Sequence, residues 1–387
     1  VNKLKIAMLS SFYHPHVGGT EKYVEDLSRA LAARGHRITV FTHSPGADLP
    51  DDGDDSVRVV RLPSLWLPYR PYAAILPTRQ LREQDLIHSH APSFYFTNQA
   101  SRIRNIPHVL TYHCDLDLPD QYGKFTLSKD AKKVIDRYLH KKSLVYLRKI
   151  DRIIATTHSY AESSPVLRQV PYEVIPIGIH RGEFTAAAER IRAETIRRDP
   201  EEILYVGRLV ASKGLVFLIE AAKLLRERGT AFKLTIAGRG EDSLMLKMMV
   251  RNYGLENEVR FLGQVSREEL YRLYAGAALF VLPSFVRLEA FGIVQLEALA
   301  MGLPVVASDL PGVNEVVRNT QGGWLVPPRK PAELADALAY ALANTAEREE
   351  RGRDGRNYVL EHYDWDRVAV RVEDLYNRLL DSPHRPQ

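Results

Sequence analysis

Short apolar runs recur along the chain, each closed by a glycine, proline or polar turn and then followed by apolar residues at helical spacing. Residues 5–9, 38–42, 85–90, 108–111, 152–156 and 172–176 read as strands in the first half. In the second half 203–206, 233–237, 259–262, 277–283, 304–307 and 323–326 read the same way. Helices are predicted at about 20–34, 94–104 and 215–228, the first closed by Gly35. Strands alternating with helices predict parallel α/β sheets, and the alternation starts afresh near residue 203.

The run at 277–283 is apolar without alternation, the pattern of a strand covered on both faces, and Pro283 ends it. From Gly292 onward Ile293, Leu296, Leu299 and Ala300 recur at helical spacing, with Glu297 about one turn inside. Arg287 and Glu289 therefore fall in a loop at the carboxyl end of a strand, where open α/β sheets bind ligands. A helix N-terminus with a glycine suits phosphate, and two carboxylates beside it suit the hydroxyls of a sugar and a ribose. Two acids near a helix start are equally compatible with a solvated surface. The loop 207–214 places Arg208 and Lys213 between another strand and helix, a fork and a point charge that fit a diphosphate. Gly18 and Gly19 occupy the corresponding turn after the first strand, where a plain turn fits as well.

At 387 residues the chain has room for two ordinary domains. No apolar run approaches the roughly 18 residues of a membrane span, and the opening residues do not form a signal peptide. Its one cysteine, Cys114, excludes an intrachain disulfide, and the expected location is the cytoplasm. The net charge of +5 permits attraction to nucleic acid, anionic lipid or phosphorylated ligands without choosing among them.

Glu289 to Glu297, Glu-Ala-Phe-Gly-Ile-Val-Gln-Leu-Glu, resembles the E-x7-E signature of retaining GT-B glycosyltransferases, in particular glycosyltransferase family 4. Gly207-Arg-Leu with Lys213-Gly, the Gly18-Gly-Thr-Glu turn and the segment Tyr112-His-Cys-Asp match further motifs of that family in order, and the likeness runs from about Ile6 to Asp364. It implies an α/β GT-B fold, two Rossmann-like domains facing a cleft. Residues 1–178 would form the acceptor-side domain, joined by a final helix at about 365–387 that crosses back, and 179–364 the nucleotide-sugar domain. Carried over by residue, the resemblance makes Glu289 a contact of the donor hexose, Glu297 of the ribose, and Arg208 and Lys213 of the diphosphate. Backbone at Phe291, Gly292 and Ile293 would lie against sugar and diphosphate, Gly263 to Val265 against the base, and His113 by the sugar, with Gly18 and Gly19 close to the donor. The implied activity is retaining transfer of a hexose to a glycan or lipid-linked hydroxyl, with no cofactor and no metal. GDP-mannose is favoured as donor from the segments around His113 and Arg287, with a UDP-hexose next. Ile177 departs from the family, which has asparagine there.

Other candidates weigh less. His88 and His90 share one strand face with no third ligand and suit packing better than metal. The acidic stretch 48–55 has no EF-hand spacing. Asp115-Leu-Asp117 has the form of an Asp-x-Asp metal motif, which belongs to a different fold. The proline-rich aromatic segment 63–77 fits a mobile acceptor-side loop or packed structure, and 183–200 fits a linker with a surface helix. Residues 124–149 form a basic amphipathic stretch, suited either to solvent or to the inner face of an anionic membrane. Nucleic acid is not expected as a partner. The rivals to a transferase are a nucleotide-sugar epimerase of the same fold and a non-catalytic basic binding protein.

Overall fold

The computed structural model describes residues 3–16, 18–44, 56–67, 70–92, 94–116, 121–122, 125–126, 128–194 and 196–381. The acidic stretch 48–55, Tyr69, Asp117 and Lys124 lie outside them. The chain divides into two compact units, Val1–Gly178 with Trp365–Gln387, and Ile179–Asp364.

Unit 1 is built on a seven-stranded sheet of β1 (Lys5–Leu9), β2 (Arg37–His43), β3 (Val57–Leu62), β4 (Leu86–Ala91), β5 (His108–Tyr112), β6 (Arg152–Ala155) and β7 (Glu173–Val174). Their order is β7-β6-β5-β4-β1-β2-β3, and every pairing is parallel. Strands β4 and β5 are buried throughout, with His88, Ser89, His90, His108 and Thr111 included, as interior strands of a sheet covered on both faces. Helices α1 (Gly19–Ala33), α2 (Phe94–Ala100) and α3 (Lys129–Leu147) belong to this unit.

The last helix, α9 (Trp365–Asp381), also belongs to unit 1 and packs on α1. Trp365, Val368, Val372, Leu375, Tyr376 and Leu379 recur at helical spacing and are buried. Each large apolar side chain so placed contributes roughly 1.5–3 kcal/mol. Glu373 anchors the contact, accepting from Arg34 and lying 2.9 Å from His36 Nε2. Burial opposes its charge, but Arg34 and His36 outweigh that and hold its pKa below the ordinary glutamate value.

Unit 2 repeats the plan with β8 (Glu202–Val206), β9 (Lys233–Ala237), β10 (Val259–Gly263), β11 (Leu279–Leu282), β12 (Val305–Ser308) and β13 (Gly323–Val326). The order β10-β9-β8-β11-β12-β13 is the 3-2-1-4-5-6 pattern of a Rossmann sheet, again all parallel. Consecutive strands diverge from β8 and β11, so the loops after these two strands border the crevice where such sheets take ligands. Helices α4 (Arg181–Ala193), α5 (Leu215–Glu227), α6 (Arg267–Gly276), α7 (Ile293–Ala300) and α8 (Val313–Thr320) flank it.

The structure refines the sequence reading at three places. The surface helix expected within 183–200 is α4, which is packed on one side: Phe184, Ala187 and Ile191 are buried, and the helix packs on α6. Within the basic stretch 124–149, helix α3 starts at Lys129 after a Ser128 cap, whose side chain accepts from the Ala131 backbone and sets the first turn there. The segment 63–77 includes a short antiparallel hairpin, Leu65–Leu67 with Arg70–Ala73. No helix among the described residues is long and apolar enough to cross a membrane.

Candidate functional site

Two loops of unit 2 meet at the point where the strand order reverses. The first follows β8: Tyr205, buried at its end, donates its hydroxyl to the Arg208 carbonyl at 3.0 Å and fixes the turn. Burial, then the nearby Glu289 charge, raises the Tyr205 pKa, so the phenol stays protonated and a donor. Backbone bonds from Gly207 to Ala237 and from Leu209 to Arg239 lace this loop to the end of β9.

The second loop follows β11. Gly214, at φ +71°, stands so close to it that a Cβ would lie 2.0 Å from the Pro283 carbonyl oxygen. Phe285 N donates to the Ser212 carbonyl at 3.3 Å across the same junction. The two loops are thereby clamped together, and Lys213 on one is brought to Glu289 on the other, 76 positions away in sequence. Lys213 Nζ bonds Glu289 Oε2, which also accepts from Ser284 Oγ at 3.1 Å. Their side chains are 21% and 13% exposed, so the pair is neither buried nor fully solvated. Arg208 is exposed beside it and forms no ion pair among the described residues.

Past Glu289 the chain turns into α7 through Gly292, at φ +75°, where a Cβ would meet Leu282 Cδ2 at 2.6 Å. Buried Gln295 holds this start, donating to the Phe291 carbonyl at 2.5 Å and to the Val313 carbonyl at 3.2 Å. Phe291, Gly292 and Ile293 thus present the first turn of a helix next to the Lys213–Glu289 pair, with its unpaired N–H groups.

Glu297 lies one turn on and is already engaged. Arg267 Nη1 reaches its Oε1 at 2.7 Å and Tyr274 donates to its Oε2 at 3.0 Å. Burial works against the charge of Arg267, but Glu297 and Glu183 outweigh it and its pKa stands above the ordinary arginine value. Each Glu297 oxygen keeps a second lone pair for a hydroxyl. Gly263 and Val265, in the segment leading to α6, are half-buried.

Unit 1 brings together a different set. His113, after β5, is 8% exposed and lies with Nε2 3.4 Å from His90 Nδ1, their rings stacked. Tyr23 of α1 meets His113 edge-on. His88 sits between the Tyr376 hydroxyl at 2.5 Å and Thr111 Oγ1 at 2.8 Å, so both ring nitrogens have protein partners. Burial pushes His88, with His108 and His113 charges adding, down to about 3, and pushes His113 down to about 3 as well. All are neutral imidazoles near pH 7. The packing reading of His88 and His90 stands on these contacts. Among the described residues no group of three or more His, Cys, Asp or Glu side chains could hold a metal ion.

Asp115 has a structural role that its sequence pattern conceals. Its carboxylate is buried and accepts from Tyr112 at 2.9 Å, Tyr160 at 3.1 Å and Ser164 at 2.5 Å. At Gly18, a Cβ would fall 2.3 Å from Glu21 Oε2, so the N-terminus of α1 is faced by its own carboxylate. Gly18 and Gly19 therefore do not present an uncovered anion site in this form.

Ser284, Tyr205, Gln295, Arg267 and Tyr274 were not legible as site residues in the sequence. The N-cap serine at 266, directly after Gly263 to Val265, is the one local signal that a helix carrying Arg267 begins there.

The family model "Glycosyl transferases group 1" matches residues 187–358 and the model "Glycosyltransferase Family 4" matches 17–182, together most of the chain. A glycogen synthase of Mycobacterium tuberculosis is 29% identical over 99% of this chain and 97% of its own. A GDP-mannose-dependent alpha-(1-6)-phosphatidylinositol monomannoside mannosyltransferase of the same species is 26% identical over 96% and 97%. Among solved structures, sucrose-phosphate synthase from Thermosynechococcus elongatus superposes with a TM-score of 0.80 at 26% identity, over 97% of this chain and 99% of that one.

Proposed function

The chain belongs to glycosyltransferase family 4, with the GT-B fold, and from that premise we propose that it moves a hexose from a nucleotide diphosphate sugar to an acceptor hydroxyl with retention at the anomeric carbon. The single observation carrying the site assignment is the Lys213–Glu289 pair, built by two loops that meet at the switch point of the unit 2 sheet.

In this proposal Lys213 and Arg208 hold the diphosphate, and the α7 N-terminus at Phe291, Gly292 and Ile293 adds backbone donors. Glu289 accepts from hexose hydroxyls, Glu297 from the ribose, and Gly263 to Val265 lie on the base. The bond from the sugar C1 to the phosphate oxygen breaks with its electron pair leaving on the nucleoside diphosphate. The acceptor oxygen bonds C1 on the same face and its proton passes to the departing phosphate oxygen. Cations already positioned where that charge develops lower the barrier without reorganising. Neither a metal nor a cofactor is assigned a role. The parts of His113, Gly18 and Gly19 rest on the family resemblance; a neutral, buried His113 would act as a hydrogen-bond partner of the sugar and not as a cation.

For the donor, GDP-mannose is favoured by the mannosyltransferase relative, while the glycogen synthase relative keeps a different hexose donor in view. The acceptor is a glycan or lipid-linked hydroxyl. Nothing observed favours an epimerase or a non-catalytic binder. The test is thermal stabilisation and turnover against UDP, GDP, ADP and their hexose conjugates, with and without chelator. Selective stabilisation by one nucleotide and transfer from its conjugate is expected. A flat response across the panel, with no turnover, would sink the proposal.

A further inference from the structure

Helix α3 turns an apolar stripe toward solvent. Val134, Tyr138 and Val145 are 65%, 57% and 58% exposed. At about 100° per residue they fall within about 40° of one another on the helix surface. Lys141 lies on the same stripe, Lys133, Arg137 and Arg148 flank it on one side, and Lys142 and Lys149, the latter just past the helix end, flank it on the other. All six cations are exposed, and none pairs with an acid among the described residues. The helix is held to the domain by its other side, where Ser143, Tyr146 and Leu147 are buried.

An outer helix in contact only with water usually mixes acids with bases at i, i+4 and turns its apolar residues inward. Here Lys133, Arg137 and Lys141 follow one another at i, i+4, a like-charge arrangement that destabilises an isolated helix. The one acid with an exposed position on α3 is Asp130, in its first turn, and Asp136 is taken by Lys132 at 2.7 Å. Lys142 Nζ stands 5.4 Å over the Tyr138 ring, an aromatic with a cation at its face. An aromatic body with a polar tip, between aliphatics and beneath a layer of cations, fits the boundary between headgroups and acyl chains. Nearby, Gln99 of α2 holds the backbone of Ala74 and Leu76, and between them Ile75 is 87% exposed. Helix α2 packs against α3, so this second exposed aliphatic belongs to the same part of unit 1.

We propose that the outer face of α3 docks unit 1 on an anionic lipid bilayer, the cations meeting headgroups and Val134, Tyr138 and Val145 entering the interface. Nucleic acid would match the charge but leave the apolar stripe without a role. The inference stands whether or not the acceptor proves to be a lipid.

The test is co-sedimentation of the full chain with vesicles of phosphatidylcholine alone or mixed with phosphatidylglycerol, at low salt and at about 0.5 M salt. Binding is expected only to the mixed vesicles, weakening at high salt. The triple variant Lys133→Glu/Arg137→Glu/Lys141→Glu and the triple variant Val134→Ser/Tyr138→Ser/Val145→Ser should each lose at least about tenfold in partitioning, with unchanged melting temperature and donor stabilisation. No binding to mixed vesicles, or equal binding to both vesicle types, overturns the proposal. So does full retention by the serine variant, or duplex DNA binding with no vesicle binding.

Discussion

Each unit holds a carboxylate beside a strand end, and the two are used in opposite ways. Asp115 in unit 1 is buried among three hydroxyls whose positions are fixed by packing, so the bonds it accepts from them are part of the fold. Glu289 in unit 2 is partly exposed and paired with the end of a flexible lysine. A lysine can exchange one acceptor for another at little cost. The histidines of unit 1 and the cations of unit 2 differ in the same sense: burial keeps the former neutral, whereas Arg208 and the Lys213 side chain reach solvent. What separates a structural carboxylate from one open to a ligand here is the mobility of its partner and its access to solvent, not its residue type.

The comparison can be broken most forcefully at the clamp. Gly214→Val puts a side chain into the Pro283 carbonyl and onto a left-handed backbone, parting the two loops. Turnover should fall by at least about 10²-fold, the usual cost of misplacing a reacting group by an ångström. Thermal unfolding run alongside should show a retained transition; unchanged turnover would mean the clamp does not set the site.

Asp115→Ala tests the other side. It strands three buried hydroxyls and should cost about 3 kcal/mol in denaturant unfolding. The fraction that stays folded should keep near-normal donor affinity. If donor affinity vanished while stability held, Asp115 would be functional after all.

Acid sharpens the contrast further. His88, His108 and His113 have folded pKa values of about 3, below the ordinary 6.5, so the unfolded chain binds more protons between those limits. Their stabilising effect is complete above pH 6.5 and is lost as pH falls toward 3. Each that titrates on unfolding removes about 1.4 kcal/mol per pH unit. Melting followed from pH 7 to 4.5 should show unit 1 losing stability first. Loss of unit 2 first, or pH-independent melting, would argue that these histidines are not buried neutral.

The smallest effect is expected at Glu297. Glu297→Gln keeps an acceptor oxygen for a hydroxyl but weakens the hold of Arg267, so the donor KM should rise by about fivefold to tenfold with little change in kcat. Steady-state kinetics separate this from a fall in kcat, which would place Glu297 at the reacting centre.

Much of this was legible in the sequence, for physical reasons that also mark where legibility stopped. Strand β11 announces itself as an unbroken apolar run, whereas Val57–Leu62 of β3 is interrupted by Arg58 and Arg61 and was not read as a strand. Gly207 to Gly214 and Glu289 to Glu297 are local patterns at strand ends, and the two loops they mark converge because β8 and β11 are neighbours. The residues that hold the site were hidden because their roles depend on distant partners. Ser284 matters through Glu289, Arg267 through Glu297, and Gln295 through the Val313 carbonyl. The same limit applied to α3: its amphipathic pattern was readable, but only the fold shows that Val134, Tyr138 and Val145 face outward.

The central claim is that Lys213 and Glu289 act as one unit on the donor. The most direct measurement is a double-mutant cycle on donor turnover with Lys213→Ala, Glu289→Ala and the pair. Each single variant should lose about 10²- to 10³-fold. The pair should lose little more than the worse single variant. Near-normal turnover in either single variant, or losses that simply multiply in the pair, would contradict the account.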